Sequence, residues 1–183
     1  VSAGSNQTLC AGTAVTLSGS GAASYTWNNG VTNAVAFTPN ATTTYTVTGT
    51  DANGCINTDQ VVVTVNPLPV VVVADATICA TATATLTATG ATTYSWSPAT
   101  NLSAATGATV TFTPGTTTTY TITGTTNGCT STDQATVTVL PSAPINAGAD
   151  AAICTGASTT LTATGGVTYT WSPATGLSAT TGA

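Results

Sequence analysis

Residues 42–55 read TTTYTVTGTDANGC and residues 117–129 read TTTYTITGTTNGC. In each, the larger apolar side chains fall on every second position (Tyr45 and Val47, Tyr120 and Ile122), with Thr between them. That period of two is the signature of a strand with one buried face. Thr, Val and Ile are stiff at χ1 and suit a pleated surface. Each strand runs into Asn-Gly, a pair that tolerates the positive φ of tight hairpin turns. Asn53-Gly54 and Asn127-Gly128 are read as such turns, and so is Asn29-Gly30 further upstream.

Working outward, the same landmarks recur at fixed spacing. Phe37 and Phe112 each stand 8 residues before Tyr45 and Tyr120. Cys10, Cys79 and Cys154 precede a Tyr by 15 residues (Tyr25, Tyr94, Tyr169) and a Trp by 17 (Trp27, Trp96, Trp171). Leu17, Leu86 and Leu161 follow those cysteines at the seventh position. Asp59 and Asp133 lie four residues after Cys55 and Cys129, ahead of QVVVTV (60–65) and QATVTV (134–139). Self-similarity at this period marks tandem structural units. The boundaries are repeat 1 at 1–66, repeat 2 at 67–144, and repeat 3 at 145–183. Repeat 3 carries only the first half of the pattern, and the expectation is a longer natural chain in which Val1 is internal. Between Trp and Phe the second repeat is six residues longer than the first, read as a loop or short extra strand.

Each unit reads as short strands separated by turns, a seven-strand-type immunoglobulin-like β-sandwich. Alternation in AVTLSGS (14–20) and ATLTATG (84–90) turns Val15, Leu17, Ala84 and Leu86 inward. Tyr25, Trp27, Phe37, Tyr45, Tyr94, Trp96, Phe112, Tyr120, Tyr169 and Trp171 are the core candidates, and Tyr45 and Tyr120 should find backbone partners for their hydroxyls. VAFTP (35–39) and VTFTP (110–114) are read as pairing with the TTTY strands around a Pro-containing corner. The short Pro-rich linkers NPLPV and LPSAPI are semi-rigid. An all-β rod of repeats is predicted.

Composition narrows the chemistry. The chain has no Lys, Arg or His, and its charges are five carboxylates, for a net −5. Nucleic acid is excluded as a partner because phosphate neutralisation needs cations. Adhesion to anionic lipid fails for the same reason. Without His, Lys or Glu a Ser or Thr nucleophile has no ordinary base, so no catalytic activity is expected. Apolar runs are strand-sized, too short to insert in a membrane.

The pattern C-x-G/T … T-L … Y-x-W, then F-T-P … T-T-T-Y-T-V-T-G … N-G-C and V-T-V, resembles the Ig-like and PKD-like repeats of giant Bacteroidota cell-surface proteins. These include gliding-motility adhesins and other cargo of the type IX secretion system. The resemblance covers essentially the whole chain and implies an extracellular, outer-membrane-associated adhesive or structural stalk. Its alternatives are a self-assembling fibre and a spacer in a secreted hydrolase. The strict PKD core is reduced here to Trp27-Asn28-Asn29-Gly30. Partners so implied are neighbouring repeats, a surface, glycan or protein ligand, and further copies in a fibre.

Two residue sets invite a site. Asp75 and Asp150, each four residues before a Cys, are calcium candidates, but calcium wants six to eight oxygens and one carboxylate per site is thin. No other cofactor is expected. Two cysteines per complete repeat imply disulfides rather than zinc. Pairing within repeats would give Cys10–Cys55 and Cys79–Cys129. Topology favours another answer: Cys10 precedes the second strand while Cys55 lies between the last two, roughly 20 Å away at the opposite end. A disulfide needs Cα atoms within about 7 Å. Head-to-tail stacking would instead bring Cys10 to Cys129, leaving Cys79 for the hairpin of repeat 3 and Cys55 for a preceding repeat. Cys154 belongs to the unfinished pattern.

The inward aromatics predict a protease test. Trypsin has no site anywhere in the chain. Chymotrypsin should cut slowly at Tyr25, Trp27, Phe37 and Tyr45 and their equivalents under native, non-reducing conditions, followed by mass spectrometry of the digest. Rapid cutting there would refute the sandwich.

Overall fold

In the computed structural model, which describes residues 1–80, 82–113 and 115–183, twelve strands form two sandwiches of the same design. Repeat 1 contains β1 (Gln7–Cys10), β2 (Val15–Thr16), β3 (Ser24–Trp27), β4 (Ala36–Phe37), β5 (Thr43–Thr50) and β6 (Ile56–Asn66). Repeat 2 contains β7 (Ala76–Cys79), β8 (Ala84–Thr87), β9 (Thr93–Ser97), β10 (Thr109–Phe112), β11 (Thr118–Thr126) and β12 (Cys129–Leu140). One sheet runs β1-β6-β5-β3 and faces the pair β2-β4; its counterpart runs β7-β12-β11-β9 and faces β10-β8. The first strand of each unit pairs parallel to the last, while the other pairs are antiparallel. This is the immunoglobulin-like arrangement, and the fold is all-β.

Six named strands per unit, not seven, reflects a chain that changes sheets. Ser2 bridges to Ser20 beside β2, and after Gly4 the chain crosses to lay β1 on β6. Val72 and Thr89 repeat that bridge in the second unit. Two polar side chains hold each crossover to the last strand. Asp59 Oδ2 accepts the amide of Ala3 at 2.8 Å, and Asn6 Oδ1 accepts that of Val62 at 2.9 Å. Asp133 takes Val73 at 2.9 Å and Asp75 takes Thr136 at 2.7 Å. The Ala3 amide, and then that of Gln60, hold the Asp59 carboxyl below the usual carboxylate range.

The core forms two separate clusters, one in each sandwich. Phe37 and Tyr45 meet edge-on with ring centroids 5.2 Å apart, and Phe112 and Tyr120 at 5.9 Å. Their strands lie in opposite sheets (β4 with β2, β5 with β6), so VAFTP and TTTY do not pair as read from the sequence. They join at a corner where Pro39 is buried; Pro114 lies outside the described residues. Tyr120 is fully buried, its hydroxyl donates to the Thr100 carbonyl at 2.7 Å, and burial pushes its phenol pKa up. Gly49 and Gly124 in the TGT segments leave room that a Cβ would take from Val1 and Ala22, and from Val71 and Ala91.

The aromatic expectations resolve unevenly. Trp27, Tyr45, Tyr94, Trp96, Phe112 and Tyr120 are buried. Phe37 and Tyr25 are only half-buried, both packed against the repeat 1 cluster, and Tyr25 also points its hydroxyl at its own corner. Its hydroxyl donates to the Ala22 carbonyl at 2.7 Å and accepts the Ala22 amide at 2.8 Å. Tyr94 clamps Ala91 in the same way, and Tyr169 clamps Gly166. In residues 145–183 only isolated bridges form, Asn146↔Thr164 and Thr170↔Thr181. Tyr169 and Trp171 are therefore half-buried, not core: nothing equivalent to β10–β12 covers them. Val167 is 99% exposed.

Of the three Asn-Gly pairs, Asn127-Gly128 is the two-residue hairpin, with φ of 50 and 79° between Thr126 and Cys129. Asn53-Gly54 belongs to a longer loop closed by Thr50 and Ile56, in which Asp51 Oδ1 accepts the amides of Asn53 and Cys55. Asn29-Gly30 turns the chain from β3 towards the opposite sheet and joins no hairpin.

Trp96 is 3% exposed, whereas Ser97 next to it is open to solvent. Trp96→Ala is expected to cost repeat 2 about 3–5 kcal/mol in denaturant unfolding, as core Trp truncations do. Ser97→Ala should be nearly silent. Equal effects would mean that the inner face of β9 is wrongly assigned.

Candidate functional site: the inter-repeat junction

The junction is built from strand register. β1 pairs parallel with β6 so that Cys10 lies opposite Asn66, at the end of both strands. The next amide, Ala11 N–H, still donates to the Asn66 carbonyl at 2.8 Å. Cys55 immediately precedes β6, so a strand of 11 residues separates the two cysteines of repeat 1. At a rise of about 3.3 Å per residue that is about 33 Å, longer than the separation read from the sequence. Repeat 2 follows the same rule: Cys79 lies opposite Leu140 at the end of β12, and Cys129 opens that strand. Neither Cys10–Cys55 nor Cys79–Cys129 can close within its own repeat at such separations.

Across the junction the distance is small. Cys10 and Cys129 form a disulfide with Cα atoms 5.6 Å apart, spanning 119 positions of sequence. The Asn127-Gly128 turn presents Cys129 to repeat 1, and Cys129 is 1% exposed. Asn66 hydrogen-bonds the turn of that hairpin and lies against Cys129. Its Nδ2 donates to the Asn127 carbonyl at 3.2 Å, and its own carbonyl lies 3.9 Å from Cys129 Sγ. The last residue of one sandwich thus touches the hairpin of the next, with the linker beginning at Pro67.

Cys55, Cys79 and Cys154 are free and exposed. Their local settings match those of the bonded pair. After Cys10, Cys79 and Cys154 the chain makes one shared turn, with Thr13, Ala82 and Ala157 donating back to the cysteine carbonyl at 3.0 Å each. Ala80 donates to the Leu140 carbonyl at 2.9 Å, as Ala11 does to Asn66. Cys55 occupies the hairpin position of Cys129, in a looser five-residue loop.

The calcium candidates fall elsewhere. Asp75 is engaged with the Thr136 amide, and Asp150 lies on the exposed surface of repeat 3. Among the described residues no three His, Cys, Asp or Glu side chains gather at one point. Residues that sequence reasoning left without a role prove structural. Asp59 and Asp133 hold the crossovers, and their shared position after the cysteines was the available signal. Asn33 accepts the Trp27 indole N–H at 3.1 Å and the Gly19 amide at 2.7 Å. In repeat 2 a backbone carbonyl, that of Gly107, takes the Trp96 indole at 2.9 Å.

No protein-family model and no curated sequence relative matches the chain. Among solved structures it is similar to Drosophila OTK extracellular domains 3–5, at a TM-score of 0.47 and 13% identity. That match covers 74% of this chain and 59% of the other. Sidekick-1 immunoglobulin domains 1–4 match at a TM-score of 0.41 and 12% identity, over 74% of this chain and 47% of that one. The N-terminal eight Ig domains of Down Syndrome Cell Adhesion Molecule match at 0.38 and 17%, over 79% and 28%. The chain therefore spans about half the length of the first two.

Non-reducing peptide mapping of the chymotryptic digest of denatured protein should recover a Cys10–Cys129 linked peptide. Iodoacetamide added before reduction should label Cys55, Cys79 and Cys154 only. A Cys79–Cys129 peptide would overturn the head-to-tail junction.

Proposed function

We propose that this chain is a non-catalytic stalk segment of a large secreted surface protein, whose repeats hold an adhesive or motile module away from the cell. The observation that carries this reading is the disulfide joining Cys10 of one sandwich to Cys129 of the next. A bond inside a repeat would stabilise a domain; a bond between repeats restrains the angle at which domains meet. Persistent disulfides also belong to oxidising compartments, which supports a setting outside the cytosol. The absence of cations and of the usual proton-transfer groups supports a mechanical role over a catalytic one. The repeat pattern supports a bacterial, outer-membrane-associated setting of the gliding-adhesin and type IX cargo kind.

A second reading, a shaft subunit of an extracellular fibre, draws on one specific feature. Residues 145–183 leave Ile153, Leu161 and Trp171 around a groove that the homologous strands fill in repeat 2. Strands of the β10–β11 type, with Phe and Tyr on the inner face, are what that groove accepts. The spacer reading, in a secreted hydrolase, rests on the repeat pattern alone.

Small-angle X-ray scattering with and without reductant tests the stalk. The oxidised chain should scatter as a stiff particle with one maximum dimension. Reduction, or Cys10→Ser, should broaden the distance distribution while circular dichroism stays unchanged. Identical curves in both states would remove the disulfide from any role in stiffness.

A further inference from the structure

β3 stands at the edge of its sheet, with only β5 beside it. In their register Thr26 faces Thr48, and Asn28 N–H donates to the Thr46 carbonyl at 3.1 Å. Antiparallel ladders alternate, so the backbone groups of Tyr25 and Trp27 point the other way, off the sheet. In repeat 2 those outward groups are occupied. Trp96 N–H donates to the Ala105 carbonyl at 2.8 Å, and the Tyr94 carbonyl accepts Gly107 N–H at 3.2 Å. Repeat 3 does the same with Trp171 to Thr180 at 2.9 Å and Gly182 to Tyr169 at 3.3 Å. The covering segment is the stretch by which repeat 2 exceeds repeat 1. Without it, residues 28–35 turn to the opposite sheet, where Ala34 donates to the Leu17 carbonyl at 2.9 Å. Among the described residues, Trp27 N–H and the Tyr25 carbonyl have no partner.

We propose that the outer edge of β3 is a self-association site, pairing antiparallel with β3 of a second copy of this chain about a twofold axis through Thr26. The pattern is self-complementary. Tyr25 of each copy comes opposite Trp27 of the other, and each pair exchanges an N–H···O=C bond in both directions, giving four bonds in all. Thr26 then faces its own counterpart as a non-hydrogen-bonded pair, side chains close together on the solvent face. Native sheets block such pairing with Lys, Pro, bulges or inward charges on the edge. Ser24–Trp27 carries no Lys, Pro or charge, and the carboxylate in line with it, Asp59, lies two strands away beyond Val47. Repeats 2 and 3 are closed to this pairing by their own covering segments, which makes a second β3 the fitting occupant.

The site goes beyond the stalk reading and is tested separately from it, on alkylated protein so that free thiols contribute nothing. Sedimentation over a dilution series should show a reversible dimer, with the Trp27 amide exchanging more slowly as concentration rises. Thr26 is exposed, so Thr26→Lys and Thr26→Asp leave the fold intact, which circular dichroism checks. Each variant alone should dimerise about tenfold more weakly or worse, since like charges then meet across the axis. An equimolar mixture of the two should restore dimerisation. A wild-type chain that stays monomeric, variants that associate as wild type does, or a mixture without rescue would each overturn the proposal.

Discussion

The parallel pairing of first strand on last, Gln7 opposite Val63 and Ala76 opposite Val137, is the constraint from which the junction follows. It delivers the end of the first strand and the end of the repeat to the same pole. The β5–β6 and β11–β12 hairpins are thereby sent to the other pole, a full strand length away. A cysteine at each pole cannot meet its partner within one unit, but end-to-end stacking presents unlike poles to one another. Parallel strands need a crossover, and here it is anchored by carboxylates that accept backbone amides. Asp59 and Asp133 are therefore as much a part of the junction as the sulfurs, though they lie far from them.

How much of this was legible depends on the range of the interaction. The inner faces of β9 and β11 were plain, because Tyr94 and Trp96, or Tyr120 and Ile122, fall two apart and Thr or Ser separates them. The poles were plain for the same reason: strand order along the chain fixes which turns share an end. Contacts made by a side chain on distant backbone were not. Asp59 and Asp133 share a position after their cysteines, but that spacing does not say which amide, 56 positions earlier, Asp59 accepts. The Tyr25 clamp on Ala22 is local, but alternation shows only that the ring packs against the core, not where its hydroxyl goes. The same blindness misplaced the FTP corner, since a period of two cannot say in which sheet a strand lies. Repeat 3 shows the opposite limit: its pattern matches repeat 2 to Ala183, but without opposing strands Tyr169 and Trp171 stay half-buried.

The charge-poor alphabet shapes how these jobs are done. With no cationic side chain in the chain, Asp51, Asp59, Asp75 and Asp133 serve as acceptors for backbone N–H groups. Thr supplies both the stiff strand backbone and cross-strand contacts, such as Thr119 with Thr136 at 2.9 Å. Where repeat 1 lacks a covering segment, Asn33 replaces a backbone carbonyl at the indole. One design is thus met twice with different residues.

The disulfide also redraws the covalent route through the molecule. Tension entering at Val1 reaches Cys10, crosses the sulfur bridge to Cys129, and leaves along β12. Residues 11–128 hang on that route as a closed loop and carry none of the pull. Were either sandwich to melt, the tether would gain almost no length from them. Those 118 residues would otherwise pay out roughly 400 Å of extended chain. Thiol redox state therefore decides whether the segment behaves as an inextensible link or as a shock absorber.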